Sequence, residues 1–149
     1  MQRLNIDIAA LSETRLSGED HLVETGTGYT LFWVGKPEGM RRDGGVAAKP
    51  ECPSSISERI MKLRAPLSCG HYLSILSICA PTLQANEDTL SSFYSALRTE
   101  VTSIPKEEKL IILGDFNARV GREHENWEAI GRYGVGKANS SGLRLLDLC

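Results

Sequence analysis

At 149 residues, with 41% hydrophobic and 24% charged residues, the chain has the size and composition of one ordinary globular domain, which excludes disorder throughout. A formal net charge of −2 gives no bulk attraction for nucleic acid, although a local patch can still steer one. No uncharged apolar run approaches the roughly 18 residues of a membrane span, and Asp7 and Glu13 arrive too early for a secretory h-region. Residues 36–64 carry a weak basic excess, the usual composition of a solvated face. The four cysteines (Cys52, Cys69, Cys79 and Cys149) contain no C-x-x-C pair, so no zinc or redox motif is present. Reduced thiols in an intracellular compartment, cytoplasmic or nuclear, are the expectation, with no membrane partner.

In chain order, Ile6–Leu11 is a short apolar run ended by Ser12-Glu13-Thr14, the pattern of a buried strand. Thr30–Val34 is aromatic and β-branched and predicts a strand closed by Gly35 and Pro37. Asp43-Gly44-Gly45 signals a turn before a short strand at Val46–Lys49. Arg59–Arg64 alternates imperfectly, as a half-exposed strand does. Tyr72–Cys79 is apolar with small serines and predicts a central strand stopped by Pro81. The period then changes: Leu90, Phe93, Tyr94, Leu97, Val101 and Ile104 lie on one helical face, with Asn86 as N-cap and Pro105 as stop. Lys109–Leu113 holds four apolar residues in a row, which predicts a strand buried on both faces. A turn of helix is expected near Trp127, and Gly142–Cys149 begins another helix whose Leu143, Leu145, Leu146 and Leu148 need a partner. Strands followed by a helix and more strands indicate an α/β or α+β sandwich, here a single domain over residues 1–149.

The stretch LIILGDFNARVG, residues 110–121, is the chemically informative one. A carboxylate just past a buried strand sits where the sheet opens into loops, and ligands of α/β proteins gather there. Gly114 lets backbone or substrate approach closely. Asp115 offers an anionic acceptor, and Asn117 a group that both donates and accepts. Glu13 ends another apolar strand. Two converging strand-end acids suit Mg²⁺, which takes one or two carboxylates and keeps its other positions for water and phosphate oxygens. The plainer alternatives are that Gly-Asp opens an ordinary turn and that Glu13 is a solvated loop acid.

The segments IDIAALSETRL, DGGVA, LSICAPT, LIILGDFNARVG and NSSGLRLLDLC occur in the order and approximate spacing of the endonuclease/exonuclease/phosphatase family. The chain most resembles the apurinic-type endonuclease domain of LINE-type retrotransposons, over nearly its whole length. The resemblance implies a DNase I-like four-layer sandwich of two mixed β-sheets flanked by helices, and a Mg²⁺-dependent phosphodiesterase acting on DNA or another phosphodiester. It assigns Glu13 to the metal. It makes Asp115 the group that orients or deprotonates the attacking water, and Asn117 the group that holds the scissile phosphate.

The chain also departs from that pattern. The family has an asparagine metal ligand on a strand upstream of the glutamate and a late Asp-His element, and neither has a counterpart between Met1 and Cys149. His21, His71 and His124 match no such position and read as surface or packing residues. Cys79 stands where the family has a tyrosine whose hydroxyl reaches toward the phosphate, and a thiol is a shorter, weaker donor. The expectation is an incomplete, N- and C-terminally truncated domain of retrotransposon origin, marginal in stability and inactive or weak as this chain alone. The alternatives are a non-catalytic nucleic-acid- or protein-binding remnant, a remnant without function, and phosphatase activity on lipid or nucleotide substrates.

Overall fold

The computed structural model describes residues 8–12, 14, 16–25, 29–34, 44–48, 53–123, 127, 129–131 and 133–149. Among these residues the chain is α+β, with two four-stranded sheets and two α-helices. It divides into two compact units: residues up to Cys79 with Ile104–Gly114, and Ala80–Ser103 with Asp115–Cys149.

The first unit holds both sheets. One comprises β1 (Ala9–Ser12), β2 (Glu19–Glu24), β3 (Tyr29–Val34) and β4 (Gly44–Ala48), ordered β1-β4-β3-β2 with every pairing antiparallel. The other comprises β5 (Ser54–Ser57), β6 (Ile60–Pro66), β7 (Tyr72–Cys79) and β8 (Lys109–Asp115), in sequence order. Phe32 from the first sheet packs with Met61, Leu63 and Ile75 from the second, so the sheets face each other across one apolar cluster. In β7, Ser74 through Ile78 are all buried, which places this strand in the interior as its sequence predicts.

Strand β8 runs beside β7 and in the same direction. At one end Ser74 Oγ donates to Glu108, just before β8, and at the other the backbone of Ile78 lies against Gly114. A parallel pair needs a long crossover, and the intervening chain carries a helix that serves. β8 is an edge strand, not a strand buried on both faces: Ile111 is 44% exposed. Its apolar run matches a central strand, but only β7 flanks it among the described residues.

One further expectation is corrected. The Gly44-Gly45 pair opens β4 instead of a turn, because it pairs with Ser12 and Leu11 of β1. At Trp127 the Ile130 N–H donates to the Trp127 carbonyl at 3.3 Å, and residues 124–126 and 128, on which the expected turn of helix also falls, lie outside the described residues. Strands β2 and β5 carry no apolar face that would announce them; every residue of β2 is exposed.

Glu108 ties the start of β8 to its sheet. Its carboxylate takes Arg64 Nη2 at 2.6 Å and Ser74 Oγ at 2.9 Å, while the Arg64 guanidinium lies 3.5 Å over the Tyr72 ring. The Arg64 hydrogen bond is the main cause that holds the Glu108 carboxyl below its ordinary value of 4.5. A carboxyl whose pKa is depressed by folding stabilises the fold above its unfolded pKa and loses that contribution as pH falls through its folded value. The difference in urea midpoint between wild type and Glu108→Gln is therefore expected to be largest near neutrality and to shrink as pH falls below 4.5. A difference constant from pH 7 to 3 counts against this.

The second unit holds α1 (Glu87–Ser103) and α2 (Ser140–Leu148). Helix α1 has the predicted bounds. Asn86 Oδ1 caps it by accepting the Thr89 N–H at 2.8 Å, and Leu90, Phe93, Tyr94 and Leu97 are buried. The Tyr94 hydroxyl donates to the Ser141 carbonyl at 3.0 Å, and burial pushes this phenol's pKa up. Arg98–Asp147 at 2.8 Å and Arg144–Glu87 also link the two helices. Of the four leucines of α2, Leu146 is buried while Leu143 stays 49% exposed.

Asn139 has two duties. Its Oδ1 accepts the Gly142 N–H at 2.7 Å, capping α2, and the Arg119 N–H at 3.1 Å. The Asn139 N–H in turn donates to the Arg119 carbonyl at 2.9 Å. The segment that follows Asn117 is thus stapled to the start of α2. Asn139→Ala is expected to cost about 1–2 kcal/mol through the lost cap, read as a lower midpoint in urea denaturation. An unchanged midpoint contradicts the capping role.

Candidate active site at the end of strand β8

Strand β8 ends in a compact hydrogen-bonded corner. Asp115 Oδ1 accepts the Asn117 N–H at 2.8 Å, an Asx-turn. The Asp115 carbonyl accepts the Ala80 N–H, and Asn117 Nδ2 donates to the Ala80 carbonyl, both at 2.8 Å. Both main-chain groups of Ala80 are therefore taken by the Asp-Phe-Asn segment. Asn117 sits at φ 45, in the left-handed region that asparagine tolerates better than most residues.

Gly114 makes the corner possible. Its φ is +135, and a Cβ built there would lie 1.9 Å from the Ile78 carbonyl oxygen. The glycine is a packing requirement that brings β8 hard against β7, besides any freedom it gives a substrate.

These bonds leave chemistry to spare. Asp115 is exposed at the strand end, and its Oδ2 has no hydrogen-bond partner among the described residues. Asn117 uses one Nδ2 hydrogen on Ala80, which leaves a second N–H and the Oδ1 for a ligand. The plain turn reading of Asp115 is realised, and the oxygen that closes the turn is Oδ1 alone. Hard oxygen donors of this kind fit Mg²⁺. No group of three or more His, Cys, Asp or Glu side chains that could hold a metal occurs among the described residues. Glu13 lies outside the described residues, as does His124. His21 and His71 are exposed, and the His21 ring stacks on Phe32.

Cys79, the residue before Ala80, is half-buried and in the thiol form. Its carbonyl accepts Arg59 Nη1 at 3.2 Å, and its N–H donates to the Arg59 carbonyl at 3.0 Å. The sequence holds no signal for the Arg59–Cys79 link, or for the role of Ala80, whose contribution is entirely main chain.

Fold and site together define a two-sheet α+β protein with a carboxylate and a carboxamide fixed at the C-terminal end of a parallel strand. Over its whole length the chain is similar to craniofacial development protein 2 of Tragulus javanicus, at 31% identity, and of Bos taurus, at 30%. It spans 26% of the length of each of these relatives. No family model matches the chain, and no solved structure matches it. No helix among the described residues is long and apolar enough to cross a membrane.

Proposed function

We propose that this chain carries the phosphodiesterase site of an endonuclease-like domain of retrotransposon origin, with DNA as the substrate class. The observation that carries the reading is the corner at Ala80, where three hydrogen bonds of 2.8 Å fix Asp115 and Asn117 while leaving one carboxylate oxygen and one amide N–H without a hydrogen-bond partner among the described residues. Hydrolysis of a phosphodiester needs an aimed water and donors for the charge that builds on the phosphoryl oxygens. On this reading Asp115 Oδ2 orients a water and accepts its proton, which its lack of a hydrogen-bond partner among the described residues supports. On this reading the second Asn117 N–H donates to a phosphoryl oxygen, and the anchor of the carboxamide on Ala80 spares the cost of ordering it during the reaction. Glu13 is the residue that would hold Mg²⁺, which when bound supplies positive charge against the phosphoryl oxygens.

Cys79 favours a slow enzyme, since it withholds the phenol that the family places at this point. The same residue supports a second reading, a domain that binds DNA without cutting it. Supercoiled plasmid incubated with the purified chain separates the two. Slow nicking in Mg²⁺ that stops with a chelator is the expected result. Salt-dependent retention of DNA with no nicking in Mg²⁺ would overturn the enzyme reading and leave binding.

A further inference from the structure

Tyr133, 85% exposed, and Val135, 74% exposed, are the barest large hydrophobic side chains among the described residues, and they lie two residues apart in one loop of the second unit. Isolated hydrophobics on a surface are ordinary, but this loop is held to a fixed base. The Asn139 N–H donates to the Arg119 carbonyl at 2.9 Å, and Arg119 Nε donates to the Lys137 carbonyl at 2.8 Å. A Cβ at Gly134 would collide with the Gly121 carbonyl oxygen, and one at Gly121 would lie 2.8 Å from the Ala138 nitrogen. Main chain therefore rests on main chain next to Tyr133, which fixes where that residue leaves the loop.

The charge of this region has one sign. Segments 116–122 and 129–139 together hold Arg119, Arg122, Arg132 and Lys137 and no aspartate or glutamate. Arg119 and Lys137 are exposed. Nε is the one guanidinium nitrogen of Arg119 that is bonded among the described residues, which leaves both terminal nitrogens for a ligand. Arg119 follows Asn117 by two residues, so its Cα lies within about 7 Å of that of Asn117. That is roughly the rise of two nucleotides along one DNA strand. Cations that repeat near a phosphate site, with an exposed aromatic ring among them, make up the surface that binds unpaired nucleic acid.

We propose that the loop carrying Tyr133 binds locally unpaired DNA beside the Asp115 corner, with Arg119 and Lys137 on the phosphates and the Tyr133 ring stacked on an unpaired base. The inference rests on the reading of DNA as the substrate class and adds to it a preference for strands out of the duplex. An intact duplex covers both faces of each base with its neighbours, whereas an unpaired base offers a face to an aromatic ring. The absence of acids from both segments selects a polyanion over a basic or neutral protein surface.

Fluorescence titration of the whole chain in a metal chelator tests this, with two DNAs of equal length, one fully paired and one with a short central bubble that carries 2-aminopurine. The bubble is expected to bind about tenfold tighter than the duplex, with quenching of the 2-aminopurine. Tyr133→Ala is expected to remove that advantage and the quenching while leaving duplex affinity unchanged, and Tyr133→Phe to retain both. Lys137→Gln is expected to weaken both DNAs and to lower the slope of log affinity against log salt by about one. Both positions are exposed, so the variants are expected to fold, and thermal melts check that. The proposal is overturned by equal affinity for the two DNAs, by an undiminished advantage in Tyr133→Ala, or by a loss that Tyr133→Phe shares. It is overturned as well by a salt slope unchanged in Lys137→Gln. Binding in chelator is read apart from cleavage. A chain that favours the bubble but never nicks in Mg²⁺ keeps this inference and loses the phosphodiesterase reading, and a chain that nicks without favouring the bubble does the reverse.

Discussion

Gly114→Ala is expected to cost about 3–5 kcal/mol, which for a chain of this size lowers the melting temperature by roughly 10 °C or more. Two effects add. The new Cβ would lie 1.9 Å from the Ile78 carbonyl oxygen, a distance no side chain adopts, and that neighbour is strand backbone rather than the movable end of a side chain. The φ of +135 is also strained for any residue with a Cβ. Relief requires β8 to withdraw from β7, which pulls Asp115 off Ala80 and disrupts the corner. Gly131→Ala is the control, because a Cβ there meets nothing within 4 Å. Thermal melts by circular dichroism distinguish the two. A Gly114→Ala melt indistinguishable from that of Gly131→Ala would show that the close approach of β8 to β7 is not required.

Asn117→Gly is expected to slow phosphodiester cleavage by about 10²–10³-fold while leaving the chain folded. Glycine adopts the φ of 45 without strain, so the main-chain path of the corner survives. What is lost is the carboxamide: its bond to the Ala80 carbonyl, worth about 0.5–1.5 kcal/mol, and the N–H that the proposed mechanism assigns to a phosphoryl oxygen. Because that charge develops in the transition state, the loss is expected in kcat with KM little changed. Single-turnover cleavage of a labelled oligonucleotide over a range of concentrations reads both. A rise in KM at constant kcat would reduce Asn117 to a ground-state binding residue.

Helix α1 was legible to the residue because its apolar period, its asparagine cap and its terminal proline all agree, and β7 because its apolar run is interrupted only by serines small enough to pack inside. The edge strands were less so. EDHLVE in β2 and SSIS in β5 are strands by pairing and not by burial, so no hydrophobic pattern marks them. The apolar run of β8 overstated its burial for the converse reason: sequence reports what a residue prefers, and Ile111 is nonetheless 44% exposed. At the site, Asp115 and Asn117 were legible as residue types that carry chemistry. Their anchor was not, since Ala80 acts through its N–H and C=O and any side chain could have stood there. The requirement for Gly114 was legible only as permissiveness, and the Ile78 carbonyl turns it into necessity.

The central claim is that Asp115 acts chemically and not only as the first residue of a turn. Asp115→Asn separates these roles, because asparagine keeps the Oδ1 that accepts the Asn117 N–H at 2.8 Å and removes the charge and the proton acceptor. Cleavage of a labelled DNA duplex in Mg²⁺ by wild type and by Asp115→Asn, with thermal melts of both, is the most direct test. The expected result is a rate lower by about 10²–10⁴-fold in the variant, with an unchanged melt. Equal rates in the two proteins, or no Mg²⁺-dependent cleavage by the folded wild type, would contradict it.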